Sequence, residues 1–161
     1  MPIRFTALST PPVRARLSVG PDARGMAPER RVSDGGGVPC RHCLTPVAEG
    51  APYVVLAWRP FPAPQPFAKT GPILLCAYPC ERAADAPALP AILDSPACVV
   101  RGYGPDDRIV HGSGGVVPTP GIPARAEALL AGSTWPTSTS ARRRTAAFRS
   151  ASSAPERRRS L

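Results

Sequence analysis

Proline is the feature that most constrains this chain, which holds 23 Pro and 14 Gly among 161 residues. Each proline fixes φ and removes a backbone donor, so helices and strands must be short and joined by stiff turns. Residues 60–72 are so dense in proline that regular structure is not expected there. A hydrophobic share of 43% still suffices for a core, and the length suits one domain.

Runs of β-branched and aromatic residues predict the strands. The clearest strand covers residues 53–58, and a second covers residues 73–78. Residues 3–8 alternate apolar and polar side chains over part of their length, as a half-buried strand does. Residues 98–111 are predicted to form a hairpin around the turn sequence GPDD at 104–107. These strands predict a small, mostly antiparallel sheet.

Helices are expected to be few. Residues 124–131 predict one helix, with Ala126, Leu129 and Leu130 on one side. Residues 89–93 predict a second, shorter helix, and residues 9–39 are expected to be irregular with at most a short helical turn. The fold class predicted from these elements is α+β, with one or two short helices and proline-rich loops.

The composition changes after Gly132. Residues 133–161 consist mainly of Ser, Thr, Ala and Arg, and they hold seven of the chain's 20 basic residues but one of its 11 acidic residues. Such a segment predicts a disordered basic tail after a single domain at 1–132. Arginines in the tail could bind nucleic acid through its phosphates, but Phe148 is the only aromatic residue interleaved with those arginines. Nucleic acid is therefore not the expected partner.

The location predicted from the sequence is the cytoplasm, without membrane insertion. The longest apolar runs, at 53–58 and 73–77, are too short to span a bilayer. Residues 1–18 lack the continuous apolar stretch of a signal peptide. Five cysteines lie between Cys40 and Cys98, and this odd number argues against a disulfide framework. Reduced thiols or a metal site are the remaining interpretations.

The cysteine spacing allows a zinc site. Cys40 and Cys43 have the spacing of a zinc knuckle, and Cys76 and Cys80 offer a second, looser pair. Four thiolates could hold zinc in a tetrahedron, with His42 as a substitute for one of them. In the alternative interpretation, Cys76 is a small apolar residue inside a strand. The zinc hypothesis describes a binding module that the metal stabilises.

Enzymatic chemistry is a separate hypothesis, and the sequence leaves it undecided. Cys43 or Cys80 could act as a nucleophile, with His111 or His42 as the base. Cys40 and Cys43 could form a redox pair, but that chemistry needs a following helix, which the sequence does not favour.

Charged side chains near strand ends allow an anion site. Arg59 and Arg101 each follow an apolar run, and such a pair could bind a carboxylate or a phosphate. In the favoured alternative they form ordinary surface ion pairs with Glu81, Asp106 or Asp107. The two adjacent aspartates are expected to form a turn rather than an acid–base pair.

Several short segments, in order, resemble a bacterial family known as domain of unknown function 1203. They are PCRHCL at 39–44, WRPF at 58–61, PFAKTGPI at 66–73, PCER at 79–82, RGY at 101–103 and DRIV at 107–110. The likeness covers about residues 3–130 and implies no known activity. Lys69 departs from it, because the family suggests an acidic residue there.

The end of the chain departs further from this family. The resemblance implies a closing strand of the type VAYVHV, followed by a segment with Cys-Phe, and neither is present. Codons for residues 134–140, read one base out of frame, permit that strand letter for letter. We therefore predict a single-base loss or gain near residues 131–133. The alternative is a natural basic tail.

Overall fold

The computed structural model describes residues 3–18 and 20–131 in full, and residues 149–150 by their backbone. Two helices, α1 (Thr10–Ser18) and α2 (Ile122–Ala131), accompany two small antiparallel sheets. In the described residues each sheet has three strands. The predicted α+β class is therefore confirmed, with two sheets where one was expected. The predicted tail at 133–161 lies outside the described residues, apart from 149–150.

The first sheet forms from the predicted apolar runs. Strand β2 (Pro52–Trp58) lies in the middle, between β1 (Glu29–Val32) and β3 (Gly71–Cys76). Val54, Leu56 and Leu75 are buried in its core. β1 was not expected, because all four of its side chains are exposed and leave no apolar pattern to detect.

Helix α1 packs on this first core. The sequence predicted little more than a helical turn here because of Pro11 and Pro12. Both prolines fall in the first turn, where a missing backbone donor costs nothing. Val13 is 2% exposed and lies in the core with Leu17 packed beside it, so tertiary contacts stabilise the helix.

The second sheet corrects the predicted hairpin. Strand β4 (Ala97–Val100) pairs with β5 (Gly115–Pro118), and not with residues 108–111. A short loop tip does form, with a single bridge between Tyr103 and Ile109. Beyond this tip the Gly102 N–H donates a hydrogen bond to the Ser113 hydroxyl oxygen and not to a backbone carbonyl. The ladder of backbone hydrogen bonds is therefore interrupted before β5 begins. The remaining β6 (Arg149–Ser150) pairs with β4 on its other side.

Two other predicted elements differ from the structure. Residues 89–93 form a single turn, closed by the Leu93 N–H donating to the Pro90 carbonyl, rather than a helix, because so short a segment makes too few backbone hydrogen bonds to offset helix nucleation. Residues 3–8 keep the predicted alternation, with Ile3, Phe5 and Ala7 buried, but they form only one bridge, between Phe5 and Ala86.

Helix α2 confirms the predicted C-terminal helix and covers the second core. Ile122 and Ala126 are buried there with Ile3, Cys98 and Val100. Within the described part of the chain, no helix is long and apolar enough to cross a membrane.

Candidate metal centre

A tight turn presents the first two cysteines, Cys40 and Cys43. The Cys40 N–H donates to the Thr45 carbonyl at 3.0 Å, and the Leu44 N–H donates to the Cys40 carbonyl at 3.0 Å. Leu44 adopts a left-handed conformation, with φ of 55°, to close this turn. The Arg41 N–H bonds to the Leu74 carbonyl, which fastens the turn beside β3.

The end of β3 presents the other two cysteines. Cys76 is the last residue of that strand, where it lies opposite Tyr53 in β2. Pro79 cannot continue a ladder, so the chain leaves the sheet and brings Cys80 back toward the first turn. The cysteine pair of the first turn and the cysteine pair after β3 thus lie on neighbouring segments of one core.

All four sulfur atoms converge. Those of Cys40, Cys43, Cys76 and Cys80 lie within 4.8 Å of one another. The Sγ atoms of Cys40 and Cys80 are 3.9 Å apart, and those of Cys43 and Cys76 are also 3.9 Å apart. A zinc–sulfur bond of about 2.3 Å gives a tetrahedron with sulfur–sulfur edges of about 3.8 Å. The four thiols are free, and two of their six sulfur–sulfur distances are close to such an edge, while the others do not exceed 4.8 Å.

Hydrogen bonds to sulfur support ionised thiols. The Cys76 N–H donates to the Cys40 Sγ at 3.4 Å. The Thr45 hydroxyl lies 3.0 Å from the Cys43 Sγ. Burial raises the pKa of Cys43, but hydrogen bonds with Thr45, Cys40 and Cys76 outweigh burial, and the net shift of this pKa is downward.

The Cys76 and Cys80 thiols resist ionisation. Burial raises the pKa of Cys80 to about 12, and repulsion from Cys40 and Cys43 adds to the effect. Burial and the same neighbours raise the pKa of Cys76 further. Four negative charges cannot share this space without a cation, and a divalent metal removes that conflict by binding the thiolates.

His42 contacts one of the four sulfurs. Its ring is 3% exposed, with Nδ1 3.2 Å from the Cys80 Sγ and Nε2 2.9 Å from the Thr10 hydroxyl. Burial lowers the pKa of His42, and Arg82 and Arg14 add to this, so the ring is neutral. With Cys80 bound to a metal as a thiolate, which only accepts, the proton would lie on Nδ1 and Nε2 would accept from the Thr10 hydroxyl. His42 thus contacts a sulfur from outside the group of four.

The other predicted site residues lie apart from this cluster. His111 is exposed in the loop that precedes β5, and it does not belong to the group of four sulfurs. The Arg59 guanidinium donates to the Phe61 carbonyl, whereas Arg101 packs over Gly114, so the two arginines take different partners. Asp107 has φ of 61°, which fits its predicted place in a turn.

Two threonines of the site were not anticipated. Thr10 begins α1 and Thr45 follows the first cysteine turn, and each hydroxyl supports a group of the site. No sequence signal indicates Thr10, which contacts a residue 32 positions away. Thr45 stands two residues from Cys43, so its proximity alone could have suggested a contact with the sulfur.

Comparison with known proteins places the site inside a family. No curated protein and no solved structure matches the chain. The model of a family described as protein of unknown function (DUF1203) matches residues 37–138. This match covers more than half of the chain and includes all four cysteines, although it begins later than the predicted likeness at residue 3 and ends at residue 138, beyond the predicted end at about residue 130. The chain therefore belongs to the DUF1203 family of proteins of unknown function.

Proposed function

We propose that the chain is a zinc-stabilised binding module, in which Cys40, Cys43, Cys76 and Cys80 hold one zinc ion. The observation that carries this proposal is the convergence of four sulfurs within 4.8 Å, with two sulfur–sulfur distances of 3.9 Å. Four thiolates with no open position are typical of structural zinc, because a catalytic zinc keeps a site for water.

The metal would join two parts of the first core. The turn at 40–43 is connected to β3 by the Arg41 backbone, while Cys76 and Cys80 lie at the end of the same strand. Cys40 is itself buried in the core with Leu75 and Val13. Zinc bound here would therefore stabilise the packing of the cysteine turn, β3 and α1 as one unit.

Metal analysis of the full chain tests this proposal. We expect near-stoichiometric zinc after purification, and a cobalt-substituted protein with the strong visible absorption of tetrahedral thiolate coordination. Cys76→Ala should lose the metal, whereas Cys98→Ala, a matched control outside the cluster, should keep it. A chelator should lower the melting temperature of the parent chain and leave that of metal-free Cys76→Ala unchanged.

The same experiment addresses a thiol-dependent enzyme. A metal-free chain with one unusually reactive cysteine would contradict the zinc proposal and support nucleophilic chemistry at Cys43. That sulfur is half-buried beside the Thr45 hydroxyl, which makes it the first thiol to examine. His111 is exposed and outside the cluster, whereas His42 lies 3.2 Å from the Cys80 sulfur, so His42 would be the better-placed base for Cys80.

We further propose that the protein works in the cytoplasm as one domain over residues 1–132. The five cysteines are all free, and this suits a reducing compartment. Nucleic-acid binding by the arginine-rich segment after residue 132 remains a separate hypothesis on residues outside the described part of the chain.

A further inference from the structure

We infer that the four-cysteine site is also an oxidative modification site, at which a peroxide releases the metal by forming the disulfides Cys40–Cys80 and Cys43–Cys76. This inference rests on the zinc centre proposed above. It concerns how the same four sulfurs respond to an oxidant.

Two short sulfur–sulfur contacts favour one pairing. The contacts at 3.9 Å join Cys40 to Cys80 and Cys43 to Cys76, each crosses between the two cysteine segments, and every other pair lies within 4.8 Å. A disulfide needs a sulfur–sulfur distance of about 2.05 Å, so the two sulfurs of each pair must approach by about 1.9 Å. The two bonds are nested in the chain and can form in the same molecule.

Three of the four cysteines, Cys43, Cys76 and Cys80, are partly exposed to solvent. The contact between the Cys43 sulfur and the Thr45 hydroxyl lies at the surface. Cys76 and Cys80 line a small depression together with Arg14 and Tyr78. A structural zinc site sealed in a core would deny such access to a small oxidant.

The chemistry balances with hydrogen peroxide as the oxidant. The Cys43 sulfur attacks one peroxide oxygen, the O–O bond breaks, and the departing hydroxide takes a proton to become water. The Cys76 sulfur then attacks the sulfenic sulfur of Cys43 and expels a second hydroxide, which also becomes water. A second peroxide oxidises Cys40 and Cys80 in the same way. Each peroxide accepts two electrons, and zinc leaves as the divalent ion because no thiolate remains.

Crosswise pairing has a structural consequence. Disulfides between the two segments keep the turn at 40–43 attached to the end of β3, as zinc would. Local disulfides within each segment would leave the two segments unconnected. The inferred product is thus a metal-free protein that retains its fold, and a thiol reductant with added zinc would restore the original state.

Zinc release and peptide mapping test the inference on the full chain. Two equivalents of hydrogen peroxide should release the zinc, measured with a metallochromic indicator. Trypsin cuts after Arg41, between the first two cysteines, and yields peptides 32–41, 42–69 and 70–82. Crosswise disulfides join all three peptides, and fragment spectra of the product should show Cys40 bonded to Cys80.

Matched variants sharpen the result. Cys98→Ala should behave like the parent chain, because Cys98 is buried outside the cluster. In Cys43→Ala treated without metal, peptides 32–41 and 70–82 should still be joined, while peptide 42–69 should stay free.

Three outcomes would overturn the inference. They are retention of zinc under excess peroxide, local disulfides that leave peptide 70–82 closed on itself, and oxidation of separate cysteines to sulfinic acid without pairing. If the purified chain holds no zinc, the zinc proposal fails by that measurement alone. Mapping of the peroxide-treated, metal-free chain then still decides whether the crosswise pairs form.

Discussion

His42 provides the sharpest test of how the site is supported. The variant His42→Phe keeps a buried ring of similar size but removes both nitrogens, and hence the contacts to Cys80 at 3.2 Å and to Thr10 at 2.9 Å. A hydrogen bond to a charged acceptor contributes about 1.5–3 kcal/mol, and one between neutral groups contributes about 1 kcal/mol. With metal bound, the free energy of unfolding should therefore fall by about 2.5–4 kcal/mol.

The metal affinity gives a second readout, which a purely structural role would not change. A group that hydrogen-bonds to a metal ligand typically changes the affinity about 10- to 100-fold when it is removed. We expect this weakening of zinc binding in His42→Phe, measured by competition with a chromophoric chelator. Thr10→Val is the matched control, because it removes only the outer hydrogen bond and should cost about 1 kcal/mol with little effect on affinity.

A specific result would refute this reasoning. If His42→Phe binds zinc as tightly as the parent chain while it loses stability, then the Nδ1–H does not support the Cys80 thiolate. Equal losses of zinc affinity in His42→Phe and Thr10→Val would likewise show that packing of α1, and not the contact with sulfur, determines the affinity.

Three further predictions concern the rest of the chain. Leu75→Ala should lower the free energy of unfolding by about 2–5 kcal/mol in denaturant titrations, because Leu75 is 0% exposed; a smaller loss would contradict its central place in the core. Hydrogen bonds from the backbone N–H groups of Met26 and Ala57 lower the pKa of Asp22. The contribution of this carboxylate to stability is therefore present above the ordinary carboxyl pKa and is lost as the pH falls through the lowered pKa. Melting curves of Asp22→Asn should show a weaker loss of stability in acid than those of the parent chain. Resequencing the DNA across residues 131–135 should show a single-base difference that restores an alternating strand. If the DNA sequence is unchanged, the basic segment becomes the leading functional feature, and an acidic protein or a nucleic acid becomes the expected partner.

The sequence determined the features that depend on neighbouring residues. A continuous β-branched run predicted the strand at 53–58, and apolar spacing predicted the helix at 124–131, because backbone preference and one-sided burial act over a few residues. The spacing of Cys40 and Cys43 likewise indicated a ligand pair, since a turn of that length presents both sulfurs on one side. Proline predicted an irregular stretch at 60–72, and residues 60–70 are irregular for this local reason, whereas Gly71 and Pro72 already belong to β3.

Tertiary structure decided which distant groups meet. The packing of α1, the first cysteine turn and β3 on one core brings Cys40 to Cys80. The same packing lets His42 contact both Cys80 and Thr10. The partner of β4 was decided in the same way, because Ser113 interrupts the local hairpin and the next segment completes the sheet. Such contacts join residues 11 to 40 positions apart, and their energies depend on the whole packed arrangement rather than on any short pattern.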